Sequence, residues 1–146
     1  MRRFLATFAA AATAMTVAPP AQAAAARVEI RKIYYDSPGS DRRSNKSLNA
    51  EYVQIHNRAG RTINLAGWTL HDRTGYRYTF DRVRIKPRQT ITIHTGRGHD
   101  TAAHLYWGRR QYVWNNDEDK AHLRSPSGKL VDFCSYDSTR YDYRIC

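Results

Sequence analysis

The chain has 146 residues, with 24 lysines and arginines against 13 aspartates and glutamates, giving a formal net charge of +11 at pH 7. That length can bury one hydrophobic core and excludes two domains of ordinary size. The charge draws a protein to anionic surfaces such as nucleic acid, wall polymers, acidic lipids or sulfated glycans, but it equally serves solubility and names no partner.

At the start of the chain, Arg2 and Arg3 precede an alanine-rich apolar run from Phe4 to Val17, and small residues flank Gln22 at Ala21 and Ala23. This layout is that of a secretory signal peptide, residues 1–23, cleaved after Ala23. A membrane-spanning helix is the rival reading, but Pro19 and Pro20 end the run short of the roughly 20 apolar residues a bilayer requires. A secreted protein is therefore expected, with no transmembrane segment in the mature chain. The alanine-rich leader has a bacterial look.

From Val28 onward the chain reads as short strands separated by turn residues, the pattern of an all-β domain. "RVEIRKIYY" alternates at Val28 and Ile30, and "EYVQIHN" at Val53 and Ile55. Between them "DSPGSDRRSNKSLNA", Asp36 to Ala50, reads as one long exposed loop. "RTINLAGWTL" alternates at Ile63 and Leu65 and resumes at Trp68 and Leu70, with Trp68 expected in the core. Tyr76, Tyr78 and Phe80 share one face of "GYRYTF", Val83 and Ile85 point inward from "RVRIK", and Ile91 and Ile93 do so from "QTITIHTG". Thr101 to Tyr106 suggests a helical turn. "WNNDEDKAHL" reads as a turn leading into a strand at Ala121 and Leu123, and Trp107 and Trp114, though beside loop-like sequence, read as core residues ahead of a binding-surface role. "KLVDFCSY" supplies a last strand, so the domain is expected over residues 24–136 with a tail at 137–146. The two cysteines, Cys134 and Cys146, are most simply a disulfide in an oxidising compartment, since one connectivity exists. That bond ties the tail back to the domain.

The run "AEYVQIHNRAGRTINLAGWTLHD", followed by "GYRYTF", "IKPRQTITIHTGRG", "LYWG" and "VWNNDEDKAHLRSPSGKLVDF", resembles a lamin tail domain. The similarity runs from about Val28 to Tyr136, and its most specific parts are Glu51-Tyr-Val with Asn57, Leu65 to Trp68, and Trp114 to Asn116. The resemblance is to the exported bacterial single-domain type. It implies an immunoglobulin-like β-sandwich of two antiparallel sheets acting as a non-catalytic interaction module, with contacts to DNA and to proteins in some members. Bacterial members commonly have glycine before the aspartate matching Asp119, where this chain has Glu118. If that position requires positive φ, Glu118 is strained.

The chemistry candidates divide by charge. The six histidines, His56, His71, His94, His99, His104 and His122, form no local zinc signature, and the five-residue recurrence of His94, His99 and His104 matches neither strand nor helix. They read as surface or turn residues. Asn116, Asp117 and Asp119 are weak ligands for a cation, because the spaced oxygens of a calcium loop are missing and the same residues suit a tight turn. No metal, cofactor or catalytic residue is expected. Arg82, Arg84 and Lys86 fall opposite Val83 and Ile85, with Arg88 in the following turn and Arg77 on the preceding strand. A row of cations on two adjacent strands suits a polyanion backbone, and it equally suits an edge strand protected from pairing. Arg42 and Arg43, with Lys46, either extend the row or solvate the long loop.

The reading is therefore an exported non-enzymatic binding module for an anionic polymer, DNA or a wall polymer. A protein-recognition or envelope-structural module and a small secreted hydrolase such as a nuclease are the alternatives.

Overall fold

Strands form where apolar residues alternate, because side chains of a strand point to opposite faces with period two. A computed structural model describes residues 27–146, so the signal peptide and its cleavage after Ala23 lie outside the described residues. The elements are β1 (Val28–Tyr34), α1 (Asn45–Ala50), β2 (Tyr52–Asn57), β3 (Ile63–Asn64), β4 (Thr69–His71), β5 (Arg77–Thr79), β6 (Arg84–Ile85), β7 (Thr90–His94), β8 (His104–Tyr106), β9 (Asp119–Arg124), β10 (Leu130–Tyr136) and β11 (Tyr143–Ile145). One sheet has the order β11-β1-β2-β7-β8, a second β10-β9-β4-β5, and β3 and β6 form a small ladder. The strands β9 and β10 pack on β1, which makes the two larger sheets a β-sandwich.

The core lies between these sheets. Val53 and Ile55 of β2, Ile91 and Ile93 of β7, and Leu70 and Leu123 of the facing sheet are all at most 1% exposed. Each such side chain contributes about 1.5–3 kcal/mol by leaving water. In β1 the register shifts between Ile30 and Lys32, a bulge that resets the alternation so that Ile33 and Tyr35 also face inward. Trp68 and Trp114 are buried as core residues, and Trp107 is half-buried at 6.2 Å from Trp114.

The structure corrects several expectations. The segment Asp36 to Ala50 is not a loop throughout. Ser44 caps α1 by accepting from the Ser47 amide at 3.2 Å, and Leu48 anchors the helix at 2% exposure. With six residues, α1 is too short to display a helical period in sequence. Thr101 to Tyr106 is not a helical turn either. The Thr101 hydroxyl accepts from the Ala103 and His104 amides, and His104–Tyr106 then runs parallel to β7 as β8. The sheets are accordingly not wholly antiparallel. A parallel neighbour needs a crossover rather than a hairpin, and local alternation does not reveal it.

The tail also forms a strand. β11 pairs with β1, and Cys146 is disulfide-bonded to Cys134 of β10, so the bond joins the edges of the two larger sheets. All of β11 is exposed, so packing adds little to hold it. Reduction, or the pair Cys134→Ser and Cys146→Ser, is expected to lower stability by about 3 kcal/mol, the loop-closure value for a loop of this length. Urea unfolding with and without reductant checks this, and coincident curves would contradict it.

Candidate polyanion-binding surface

Arg77, Arg82, Arg84, Lys86 and Arg88 are all exposed. They do not form a row in register on two adjacent strands. Arg77 lies on β5, which pairs with β4, whereas Arg84 lies on β6, which pairs with β3. The chain between β5 and β6 bonds instead to the Leu65–Gly67 turn, through Leu65 N to Val83 O at 2.8 Å and Gly67 N to Phe80 O at 2.9 Å. That diversion separates the two strands. Arg84, Lys86 and Arg88 nevertheless surround one firm turn, in which the Gln89 side chain accepts from the Lys86 amide at 2.8 Å. Arg88 takes the left-handed conformation at φ 59°. Arg77 is on an edge strand, where protection against sheet pairing accounts for its charge.

Arg42 is exposed, and Arg43 belongs to a second basic group that local sequence reading missed. Arg43, Arg97, Arg109 and Arg110 line a cleft of about 300 Å³ together with Asn45 and Leu48, with no carboxylate in its wall. The cleft is firmly built. Asn45 and Asn49 each donate a side-chain N–H to the Arg97 carbonyl at 2.9 Å, and Asn45 Oδ1 accepts from the Arg97 amide at 2.7 Å. Gly96 permits this approach, since a Cβ there would lie 2.4 Å from Asn49 Oδ1. Arg109 donates its amide to Thr95 O at 2.9 Å and lays its guanidinium 4.2 Å from the Tyr76 ring centre. Among the described residues the ion pairs are Arg58–Glu29 at 3.3 Å and Arg73–Glu118 at 2.7 Å, and neither includes an arginine of the cleft or a cation of the β6 turn.

The residues that carry the resemblance have structural work. Asn57 is fully buried. Its Oδ1 accepts from the Ala59 amide, as an Asx turn requires, and its Nδ2 also reaches the carbonyls of Arg61, Ile85 and Lys86. It thus fixes the base of the cationic β6 turn. Glu51, equally buried, accepts at Oε1 from the Thr95 hydroxyl at 2.6 Å and the Val113 amide at 2.8 Å, while Oε2 has no partner among the described residues. Burial pushes its carboxyl up to about 8, against the hydrogen bonds from Thr95, Val113 and Trp114 that favour the charged form. Compared with known protein families, the chain matches the Lamin Tail Domain over residues 21–138. The chain belongs to the lamin tail domain family. Comparison with curated proteins finds no match.

Lamin tail domains are non-enzymatic immunoglobulin-like domains, and this one keeps the acidic turn as a structural bend. Asp119 is 2% exposed and accepts from the amides of Arg73 and Lys120 through Oδ1 and from Asn115 through Oδ2. Asn116 donates to Asp36 and Asp41, and Asp117 accepts from the Glu118 amide. Glu118 is not strained. Among the described residues the positive-φ residues other than glycine are Arg43 and Arg88, and the Glu118 side chain pairs with Arg73 instead. Among the described residues no three His, Cys, Asp or Glu side chains gather as metal ligands.

The histidines divide differently from their sequence spacing. The β7–β8 pairing brings His94 and His104 together, with His94 Nε2 3.0 Å from His104 Nδ1 and His94 Nδ1 donating to Asn49 O at 2.7 Å. Burial, then the neighbouring His104, hold His94 below the usual imidazole range against the Asn49 bond. His71 and His122 face each other across β4 and β9 and are lowered first by burial.

Proposed function

We propose that this lamin tail domain is an exported, non-enzymatic binding module for an anionic polymer, nucleic acid or a wall polymer. In this reading residues 1–23 are removed on export, residues 24–136 form the binding domain, and residues 137–146 are the tail held by the disulfide. The protein then belongs to the exported bacterial single-domain type, and a disulfide suits an extracellular, oxidising setting. The observation that carries the reading is charge without compensation. Arginines concentrate at the β6 turn and at the cleft, and neither group has an ion-pair partner among the described residues. Arginine suits this task because its planar fork contacts phosphate in bidentate fashion.

Affinity for DNA or a wall polymer is expected to fall linearly on a log–log plot against salt. The variant R82E/R84E/K86E is expected to weaken binding and to shallow that slope by about one unit for each cation lost. Unchanged affinity and slope would remove Arg82, Arg84 and Lys86 from the site. A second reading, protein recognition, is favoured by β10, an edge strand with Phe133 51% and Leu130 40% exposed. A discrete protein partner retained at high salt would support it over the first.

A further inference from the structure

The outer face of the five-stranded sheet carries one ring from each strand in a single row. Pairing sets Tyr143 opposite Tyr34, Tyr34 opposite Tyr52, Tyr52 opposite His94, and His94 opposite Tyr106. Successive ring centres are 6.0, 5.4, 5.9 and 5.0 Å apart. At a strand spacing of about 4.8 Å the row spans roughly 19 Å. Tyr143 is 45% exposed and the other four rings are half-buried, so each keeps a surface toward solvent. Lys32 Nζ lies 4.3 Å from the Tyr143 centre. The adjacent row across the sheet is Ile145, Lys32, Gln54, Thr92 and His104, four of which offer hydrogen-bonding groups, while the Asp142 carboxylate lies beside Tyr34 in the ring row.

Two members of this row, His94 and Tyr106, are each followed three residues later in the chain by an arginine of the cleft. Arg97 follows His94 along the chain from β7, and Arg109 follows Tyr106 from β8. Asn49 joins the two, accepting from the His94 ring through its carbonyl and donating to Arg97 O through its side chain. Gly98 lies so close to the Tyr106 ring that a Cβ there would come within 2.4 Å of it. Cross-strand ring pairs stabilise a sheet in their own right. That role does not account for the four arginines of the cleft, which have no ion-pair partner among the described residues.

We propose that this face binds a single-stranded nucleic acid, with backbone phosphate in the Arg43, Arg97, Arg109 and Arg110 cleft and bases against the aromatic row. The proposal rests on the polyanion reading and narrows it. Cations meet the phosphates, and rings accept bases either stacked or edge-on. A duplex hides its base faces, and a phosphate polymer without flat rings gains nothing from the tyrosines.

The test compares, on the unaltered full chain at low salt, an oligothymidine of about 12 nucleotides, a duplex of equal length and inorganic polyphosphate. Fluorescence anisotropy is expected to give single-strand affinity on the order of tenfold above both other ligands, with tyrosine emission quenched. Y52L/Y106L is expected to erase that preference while leaving duplex binding unchanged, and R97Q/R109Q to weaken all three ligands. Thermal unfolding of each variant verifies its fold, and the ligand comparison on the unaltered chain needs no variant. Polyphosphate or duplex binding as tightly as the oligonucleotide would overturn the proposal and leave the polyanion reading standing. Binding of a neutral glycan instead of any oligonucleotide would overturn it as well. Failure to bind any polyanion would sink both.

Discussion

The melting temperature of this protein is expected to fall as pH rises from about 6.5 to about 8, and Glu51→Gln is expected to flatten that fall. The Glu51 carboxyl has an ordinary value of 4.5 and is pushed up to about 8 by burial. Between those values the folded protein holds a proton that the unfolded chain has released. Stability is therefore fully present below about 4.5 and is lost as pH rises through about 8. A displacement of this size corresponds to about 4–5 kcal/mol of stability across the window. His71, His94 and His122 act in the opposite sense, since their lowered values make the fold lose stability as pH falls below the usual 6.5. Glutamine keeps an acceptor for Thr95 and Val113 and cannot ionise, so the variant should retain the acid loss and lack the alkaline one. Parallel pH profiles for the two proteins would show that Glu51 does not titrate in this window. The comparison concerns slopes, because the glutamine N–H group occupies the place where Oε2 finds no partner.

Asn57→Ala is expected to destabilise the domain by about 3–5 kcal/mol in urea unfolding. The Asn57 amide reaches three backbone carbonyls, Arg61 at 2.8 Å, Ile85 at 3.1 Å and Lys86 at 3.0 Å, while Oδ1 takes the Ala59 amide at 2.9 Å. Its two hydrogens are shared among those carbonyls, and truncation leaves buried groups without a partner. Asn57→Asp separates the local role from the tertiary one. Aspartate still accepts from Ala59 but directs a carboxylate at the carbonyl oxygens, so it should be worse than alanine. If Asn57→Asp were nearly neutral, only the local turn would matter. Either substitution should also loosen the turn that carries Arg84, Lys86 and Arg88 and weaken polyanion binding in step with stability.

The local role of Asn57 was legible from its neighbours, as a short amide bonding the backbone two residues on. Its bonds to β6 were not, because they cross 28 and 29 residues of chain. Glu51 was visible as part of a family signature without its reason. The motif does not display that Thr95 and Val113 enclose it in the interior. The inward alternation of Val53, Ile55, Ile91 and Ile93 could be read one strand at a time, since period two is a property of each strand alone. The bend at Asp117 to Asp119 was equally legible, because its side chains satisfy the nearby amides of Asn115, Glu118 and Lys120, whereas the Asp119 bond to the Arg73 amide, 46 residues away, was not.

Composition and alternation were thus sufficient for a basic, all-β domain with buried tryptophans and a pair of cysteines. Which cations share a surface was decided by tertiary structure. Arg43, Arg97 and Arg109 meet only because α1 docks beside β7 and the crossover to β8 returns the chain parallel to it. Arg77 and Arg84, neighbours in sequence, go to different sheets. The aromatic row likewise depends on the register of four strand pairings, and one-residue slips would turn its rings to the other face. Burial is set by a local period, whereas a binding surface is assembled from contacts distant along the chain, and no local pattern encodes those.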